Sequence, residues 1–307
     1  MKVLVTGISG YIGSLVATEL QRRGHTVSGF ARRPQRVTLD VPVVCGDAVT
    51  GDGLNEALAG IEVAYFLIHS MEPGSADGFG VRERAAAERF AGAARRASVS
   101  RIVYLGGPAP PDGVGVTPSP HLASRLAVER VLLDGVPGSV ALRASIVIGA
   151  RSRAFRFLVH LIERLPVLIL PAWGENRGMP IDERDVVSAL VACAEDPRAA
   201  GRVLDAAGPD IVSYGRLIAR IADAMLVARP SIGSRRLSVT PIAARVAAVI
   251  AGEQPELIEP LMESLETDLL PVNPLASEML GTRLHSLDSA IEHALAEWER
   301  VEPLAAR

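Results

Sequence analysis

The stretch Thr6-Gly7-Ile8-Ser9-Gly10-Tyr11-Ile12-Gly13 decides the fold of this chain. It follows a short apolar segment, Lys2-Val3-Leu4-Val5, and precedes an amphipathic helix with Leu15, Val16 and Leu20 on one face. Three glycines at such a junction let the backbone turn sharply and approach a pyrophosphate, whose charge the helix amides and the helix dipole stabilise. The stretch therefore predicts a nucleotide-binding loop in the first strand-helix-strand unit.

The composition is that of an ordinary folded protein. The chain has 307 residues, 49% hydrophobic and 22% charged, enough for one large α/β domain plus a smaller lobe. Its net charge of −3 argues against nucleic acid as the main partner. The sequence begins with a strand pattern instead of a signal peptide, and no run reaches about 18 apolar residues. We therefore expect a cytoplasmic protein without membrane insertion.

The residue types that bind metals or attack substrates are scattered. Cys45 and Cys193 lie far apart, in no Cys-x-x-Cys or Cys/His spacing, and we expect both to be buried and reduced. No cluster of His, Cys, Asp and Glu has the spacing of metal ligands, and no order of Ser, His and Asp indicates a hydrolase. The sequence therefore predicts no metal.

Short β-branched runs alternate with helical patterns, which is typical of a Rossmann-type, doubly wound parallel sheet in an α/β protein. The predicted strands are 2–6, 26–30, 42–45, 63–68, 101–105, 139–144, 167–170 and 203–206. The predicted helices are 11–23, 53–59, 78–97, 121–133, 152–164 and 183–195, and from residue 213 onward only helices are predicted, at 213–227, 241–251, 255–266 and 286–299. We expect a sheet domain of residues 1–150 and 178–207, with a smaller, mostly helical lobe of 151–177 and 208–307 for substrate or partner. The apolar segment 242–250 fits either the core of that lobe or a surface between subunits. The second alternative would make the protein a homodimer.

Further motifs indicate which family of proteins the chain is similar to. They are Phe66-Leu-Ile-His-Ser-Met71, Ile102-Val-Tyr-Leu-Gly-Gly107, Ser119-Pro-His-Leu-Ala-Ser-Arg125, Leu142-Arg-Ala-Ser-Ile-Val-Ile-Gly149 and Arg164-Leu-Pro166. Together with the opening stretch, which has that superfamily's form of phosphate loop, they resemble an extended or atypical short-chain dehydrogenase/reductase. They are similar to a bacterial NAD(P)H-binding branch near the NmrA-like proteins.

The resemblance implies a nicotinamide cofactor at the carboxyl edge of the sheet. In the related family an acid after the third strand bonds the adenine amino group and the next residue packs on the ring. Asp47 and Ala48 match these positions, and the alternative is that Asp47 is a turn residue that caps a helix. The expected cofactor-binding residues are Gly7, Ser9, Gly10, Tyr11, Ile12, Gly13, Arg32, Arg33, Asp47, Ala48, Ile68, His69, Ser70, Gly106 and Arg125.

The end of the second strand indicates which cofactor is bound. A site for NAD places an acid there for the ribose 2′-hydroxyl, whereas a site for NADP needs positive charge. Here the strand ends in Phe30-Ala31-Arg32-Arg33, and no acid follows until Asp40. Guanidinium groups form strong paired hydrogen bonds to phosphate, so NADP is the expected cofactor and NAD the alternative.

The catalytic pattern of the family is missing. Active members carry a Tyr and, four residues later, a Lys on one helix, with a Ser or Thr after the fifth strand. The matching positions are His121 and Arg125, which keep the helical spacing, and Gly106-Gly107. His121 has a reference pKa near 6.5 and is the candidate proton donor, whereas Arg125 cannot relay a proton near neutrality. A second interpretation is that both residues only bind, and a third is that Ser119-Pro120-His121 merely begins the helix.

Two classes of function therefore stay open. The chain is expected to bind NADP(H), either as a reductase of a small apolar carbonyl, quinone or enone, or without catalysis, as an NmrA-like sensor of the NADPH/NADP ratio or a nucleotide-holding assembly factor. Asp182 and Asp185 are expected to stabilise a helix start, and Arg143 to anchor the smaller lobe through a buried pair. Trp173 and Trp298 are expected to pack, with Trp173 on a loop that can line a substrate pocket.

Overall fold

A computed structural model describes residues 1–68, 79–109, 120–234, 265 and 267–304. Its centre is a seven-stranded parallel sheet in the order β3-β2-β1-β4-β5-β6-β11. These strands are β1 Lys2–Thr6, β2 Thr26–Ala31, β3 Val43–Cys45, β4 Val63–Phe66, β5 Arg101–Gly106, β6 Val140–Ala144 and β11 Val203–Ala206. The order reverses between β1 and β4, which creates the crevice where such sheets bind ligands. The predicted Rossmann-type α/β fold is confirmed.

Helices cover both faces of this sheet. They are α1 Tyr11–Arg22, α2 Leu54–Leu58, α3 Phe79–Arg96, α4 Pro120–Gly135 and α6 Glu183–Glu195. Helices α1 and α6 bury Val16, Leu20 and Leu190 on one face, and α2, α3 and α4 bury Leu58, Phe90 and Leu132 on the other. Because both faces are covered, the central strands are mostly apolar, as Val3, Leu4 and Val5 of β1 illustrate.

The rest of the described chain builds a second hydrophobic core. Its helices are α5 Arg153–Arg164, α7 Tyr214–Ala224, α8 Ala276–Leu280 and α9 Leu287–Glu299. Phe155, Phe157, Ile221 and Trp298 are among the side chains buried there, while α8 packs on the sheet domain instead. The proposed division into two lobes stays a prediction, and this separate core is the feature that supports it.

Short strand pairs accompany these helices. The strands are β7 Val147–Ile148, β8 Leu168–Pro171, β9 Arg177–Gly178, β10 Ile181–Asp182, β12 Val212–Ser213 and β13 Ser231–Ser234. Strands β8 and β13 pair in parallel, β7 pairs with β10, and β9 pairs with β12.

Two sequence predictions need correction. The expectation of helices only after residue 213 is wrong, because β13 pairs with β8 along its whole length. The expectation of two buried thiols is wrong for Cys45, which is exposed because it ends the edge strand β3, whereas Cys193 is buried in α6. The predicted helices 241–251 and 255–266 lie outside the described residues, except for position 265. Among the described ranges, no helix is long and apolar enough to cross a membrane.

Candidate functional site: a dinucleotide loop and its surroundings

The glycine-rich loop leaves β1 in a tight turn. Gly7 adopts a φ of +67°, and its carbonyl oxygen accepts the Gly10 amide at 2.8 Å. Gly10 is the N-cap of α1 in extended conformation, without a capping side chain. Ser9 and Gly10 are exposed at the tip of the loop, which leaves the helix start open to an anion.

The loop backbone leaves no room for side chains at its first and third glycines. A Cβ at Gly7 would lie 2.6 Å from the Leu67 carbonyl oxygen, and one at Gly13 would lie 2.2 Å from the Gly7 carbonyl oxygen. The loop is therefore folded onto itself and onto the chain after β4, close to the Ile68 amide. This compact cradle at a helix start fits the pyrophosphate of a dinucleotide.

Thr6, the first residue of the motif, holds the loop against the neighbouring strand. Its buried hydroxyl donates to the Tyr65 carbonyl oxygen at 2.9 Å and accepts the Leu67 amide at 3.2 Å. The hydroxyl thereby satisfies two backbone hydrogen-bonding groups at the point where β1 and β4 diverge. The motif alone does not reveal this role of Thr6, because it depends on the pairing of β1 with β4.

The positive charges after β2 and the acid after β3 lie near each other. Arg32 and Arg33 are both exposed, and the next turn, Pro34–Arg36, adds Arg36. Strands β2 and β3 are neighbours, and the Gly46 amide bonds to the Ala31 carbonyl oxygen at 3.2 Å. The predicted 2′-phosphate residues therefore lie on the same sheet edge as Asp47.

Asp47 is engaged in its own turn. Its Oδ1 accepts the Val49 amide at 2.7 Å, and Ala48 is buried in the hydrophobic core of that face of the sheet. The bond lies within the turn after β3, whereas the next helix, α2, has Gly53 as its N-cap, so Asp47 is not the helix cap of the alternative interpretation. The adenine role of Asp47 and Ala48 stays a prediction.

Tyr11 forms a contact that the sequence did not reveal. Its hydroxyl donates to the Glu183 carboxylate, 172 residues away at the start of α6. Gly149 permits the pairing, since a Cβ there would lie 2.0 Å from the Tyr11 hydroxyl oxygen. The Glu183 Oε1 is 3.7 Å from Nε2 of His293 in α9, and the Arg151 guanidinium lies 5.7 Å from the Tyr11 ring centroid. Burial raises the pKa of Glu183, although Tyr11 and His293 favour its charged form.

The helix that carries the catalytic pattern of the family is described from Pro120 onward, and the His121 side chain lies outside the description. The Arg125 guanidinium donates to the Leu105 carbonyl oxygen at the end of β5 and lies 5.1 Å from the Tyr104 ring centroid. The Tyr104 hydroxyl donates to the Arg125 carbonyl oxygen at 3.3 Å, and burial raises its pKa to about 12. Arg125 therefore lies at the carboxyl edge of the sheet, as its spacing predicts. His69, Ser70 and Ser119 fall outside the described residues.

Several other predicted roles can be placed. Asp182 is the N-cap of α6 and accepts the Arg184 amide at 2.8 Å, while Asp185 accepts from His285 at 2.6 Å. Arg143 does form an ion pair with the buried Glu129, donating from Nε at 2.9 Å and from Nη2 at 2.7 Å. Glu129 belongs to α4, so this pair joins β6 to a helix of the sheet domain. The anchoring of the smaller lobe by Arg143 stays a prediction.

An apolar cavity lies between the second core and the end of β6. Trp173 lies in a short 3-10 turn, Ala172–Glu175, and forms one wall. Its cavity neighbours are Ile146, Ala154, Phe157, Leu158, Tyr214, Leu217, Ile218 and Leu265. The enclosed volume is about 10 Å³, room for about one water molecule. Tyr214 lies in no motif that would mark it as a site residue in the sequence.

The comparisons agree with this architecture. Residues 7–124 match the family model described as NAD(P)H-binding. The structure called gox2253 superposes with a TM-score of 0.77 at 18% identity, covering 98% of this chain and 99% of that one. A short-chain dehydrogenase/reductase superfamily protein from Agrobacterium tumefaciens with bound NAD superposes with a TM-score of 0.72 at 20% identity, covering 98% of both chains.

A curated relative gives a partial match. A 2-alkyl-3-oxoalkanoate reductase of Stenotrophomonas maltophilia is 27% identical over 173 residues, which cover 48% of this chain and 52% of that protein. The chain thus matches about half the length of this relative.

The fold and the loop are of the Rossmann type. Residues 7–124 match the NAD(P)H-binding family model, and the chain has the same fold as the short-chain dehydrogenase/reductase superfamily protein with bound NAD. The resemblance to the atypical short-chain dehydrogenases/reductases is confirmed at the level of fold and cofactor domain. The NmrA-like branch stays a prediction.

Proposed function

We propose that the protein is an NADPH-dependent reductase of a small apolar carbonyl compound, a ketone, quinone or enone. The observation that carries this proposal is the position of the apolar cavity, which reaches from the second core to Ile146, two residues beyond β6. That end of a parallel sheet is where ligands of this fold class lie. The name of the partly matching reductase also supports a carbonyl substrate.

The residues of the site have separate proposed tasks in this reaction. The backbone of Gly7, Gly10 and Gly13 holds the pyrophosphate, and Arg125 holds ribose hydroxyls or a phosphate. NADPH supplies the hydride when it is bound. His121 is the proposed donor of the proton that the carbonyl oxygen receives, since imidazole titrates near neutral pH.

Arg32 and Arg33 are proposed to select NADPH over NADH. Their exposure at the end of β2, beside Arg36, supports this role, because guanidinium groups pair with a 2′-phosphate. The double variant Arg32→Ala/Arg33→Ala should weaken NADPH binding by about 1.5–3 kcal/mol and leave NADH binding nearly unchanged. The control is Arg130→Ala/Arg216→Ala, which removes two exposed arginines from α4 and α7. Equal losses for both cofactors would remove the 2′-phosphate argument.

Turnover is the test of the reductase. The purified protein is incubated with NADPH and a panel of ketones, quinones and enones, and the loss of cofactor absorbance is followed. The proposal expects oxidation with at least one compound and a large loss of rate in His121→Ala at unchanged NADPH affinity. Tight NADPH binding without reduction of any compound would refute catalysis.

A second candidate is a non-catalytic NADPH/NADP sensor or nucleotide-holding assembly factor. It is favoured by the replacement of the Ser, Tyr and Lys of the family by Gly106-Gly107, His121 and Arg125. For this candidate, NADPH and NADP should differ in affinity and His121→Ala should change nothing. A homodimer and a cytoplasmic location stay predictions.

A further inference from the structure

We propose that the hydrogen bond between Tyr11 and Glu183 fixes the first turn of α1 for the pyrophosphate, so that both side chains are positioning residues for the cofactor. Tyr11 is the first residue of α1 and belongs to the glycine-rich loop motif, whereas Glu183 is the first residue of α6. The inference deepens the proposed function, and it rests on the part of that function that places the pyrophosphate on the loop.

The start of α1 has no capping side chain of its own. Its N-cap is Gly10, and no side-chain hydrogen bond is formed there. A helix start leaves its first amides without intrahelical acceptors, and these amides are the groups that bind an anion. The close packing of Gly13 on Gly7 holds one side of this turn. Tyr11, two residues before Gly13, projects to the opposite side, because consecutive helical residues are about 100° apart around the axis.

The Tyr11 side chain joins this opposite side to the rest of the protein. Its hydroxyl donates to Oε2 of Glu183. Burial and the nearby carboxylate raise the pKa of Tyr11, so the hydroxyl keeps its proton and acts as the donor. The Arg151 guanidinium lies 5.7 Å from the Tyr11 ring centroid and donates to the Ser14 hydroxyl at 3.4 Å. That hydroxyl donates in turn to the Tyr11 carbonyl oxygen at 2.9 Å, so the first turn is held through both its side chain and its backbone.

The acceptor of this bond is itself held in place. Glu183 is only 9% exposed, and its Oε1 lies 3.7 Å from Nε2 of His293 in α9. The space for the bond exists because residue 149 is a glycine: a Cβ there would lie 2.0 Å from the Tyr11 hydroxyl oxygen and 2.3 Å from Oε2 of Glu183. A buried, packed acceptor fixes its donor more narrowly than an exposed side chain does, which is what a group that supports a binding site requires.

The two residues should affect the cofactor through its pyrophosphate. NADPH and NADH share that group, so loss of the bond between Tyr11 and Glu183 should weaken both cofactors to the same extent. This differs from the effect proposed for Arg32 and Arg33, which concerns NADPH alone. Adenosine 2′-monophosphate carries the adenine end of NADPH without the pyrophosphate, so its affinity should not change.

The experiment is calorimetric titration of the full chain with NADPH, NADH and adenosine 2′-monophosphate. Tyr11→Phe removes the donor and Glu183→Leu removes the acceptor, and each should raise the Kd of both dinucleotides about fivefold. Glu183→Gln keeps an oxygen that can accept the bond, so its Kd values should stay within about twofold of the parent's. The double variant Tyr11→Phe/Glu183→Leu should bind no more weakly than the single variants, because both remove the same bond.

Tyr65→Phe is the matched control. The buried Tyr65 hydroxyl also donates to α6, to the Leu190 carbonyl oxygen at 3.0 Å, but Tyr65 lies in β4 and not in the loop. This variant should melt at a lower temperature and keep the parent's Kd for NADPH, which separates positioning from a general loss of stability. A Tyr11→Phe protein that melts lower but binds both dinucleotides normally would show a merely structural role and overturn the inference.

Three further results would overturn it: equal losses for Glu183→Gln and Glu183→Leu, multiplied losses in the double variant, or a matching loss of affinity for adenosine 2′-monophosphate. Failure of the proposed function is distinguishable, because binding is measured without turnover. If the variants behave as expected and no carbonyl compound is reduced, the reductase is refuted and the positioning role stands. If a carbonyl compound is reduced and Tyr11→Phe binds NADPH as the parent does, only the positioning role is refuted.

Discussion

Substitution of Gly13 by Ala tests the geometry of the phosphate loop. The added Cβ would lie 2.2 Å from the Gly7 carbonyl oxygen, 2.8 Å from its carbon and 3.1 Å from the Ile8 Cα. All three are backbone atoms, so the loop must move by about 1 Å to restore an ordinary contact. Overpacking of this kind costs about 1–3 kcal/mol of folding free energy.

The same movement should also impair cofactor binding. Loss of one charged hydrogen bond to the pyrophosphate costs about 1.5–3 kcal/mol, or about 10- to 150-fold in Kd. The assay is calorimetric titration of NADPH, together with urea unfolding of the free protein.

Gly92→Ala is the matched control for this substitution. Gly92 lies inside α3, and a Cβ there would meet only Nη1 of the flexible Arg96, at 3.4 Å. This variant should gain about 0.5–1 kcal/mol of stability, because alanine favours a helix, and should bind NADPH normally. A Gly13→Ala protein with the parent's Kd would refute the assignment of the loop.

Two further predictions concern buried charges. Glu183→Gln should stabilise the protein at pH 7 and have little effect at pH 4. The reason is that burial raises the pKa of Glu183, so its charged form destabilises the folded state increasingly as the pH rises above the pKa in the unfolded state. The measurement is the difference in melting temperature between the variant and the parent at each pH. An equal difference at both pH values would contradict this. Glu129→Ala should cost about 3–5 kcal/mol in urea unfolding, because it removes the buried carboxylate that accepts from Nε and Nη2 of the Arg143 guanidinium. The double variant Glu129→Leu/Arg143→Met should cost less than the sum of its single variants, and simple additivity would show that the pair is not coupled.

The strongly patterned parts of the fold were predictable from the sequence. Strands such as β1 are mostly apolar and lie next to glycine turns, so the pattern of alternating strands and helices follows from the order of the residues. The strand β13 was missed because Ser231-Ile-Gly-Ser234 has little strand character of its own and forms only through pairing with β8. Exposure of Cys45 was missed for a related reason, since the sequence does not say which strand lies at the edge.

The site residues that belong to a local sequence motif were predictable. The loop glycines and Arg125 lie at the carboxyl edge of the sheet, as their motifs predict. The Tyr11–Glu183 bond was not predictable, because it joins residues far apart in the chain and depends on the missing side chain of Gly149. Tyr214 gave no sequence signal either, since its unpaired hydroxyl follows from tertiary packing around it.

The central claim is that the chain binds a nicotinamide cofactor through this loop and prefers NADPH. Its most direct test is calorimetric titration of the unmodified protein with NADPH and, separately, with NADH. We predict one site per chain and a Kd for NADPH at least tenfold below that for NADH. Absence of binding by both cofactors would contradict the assignment of the site, and equal affinities would contradict the role of Arg32 and Arg33.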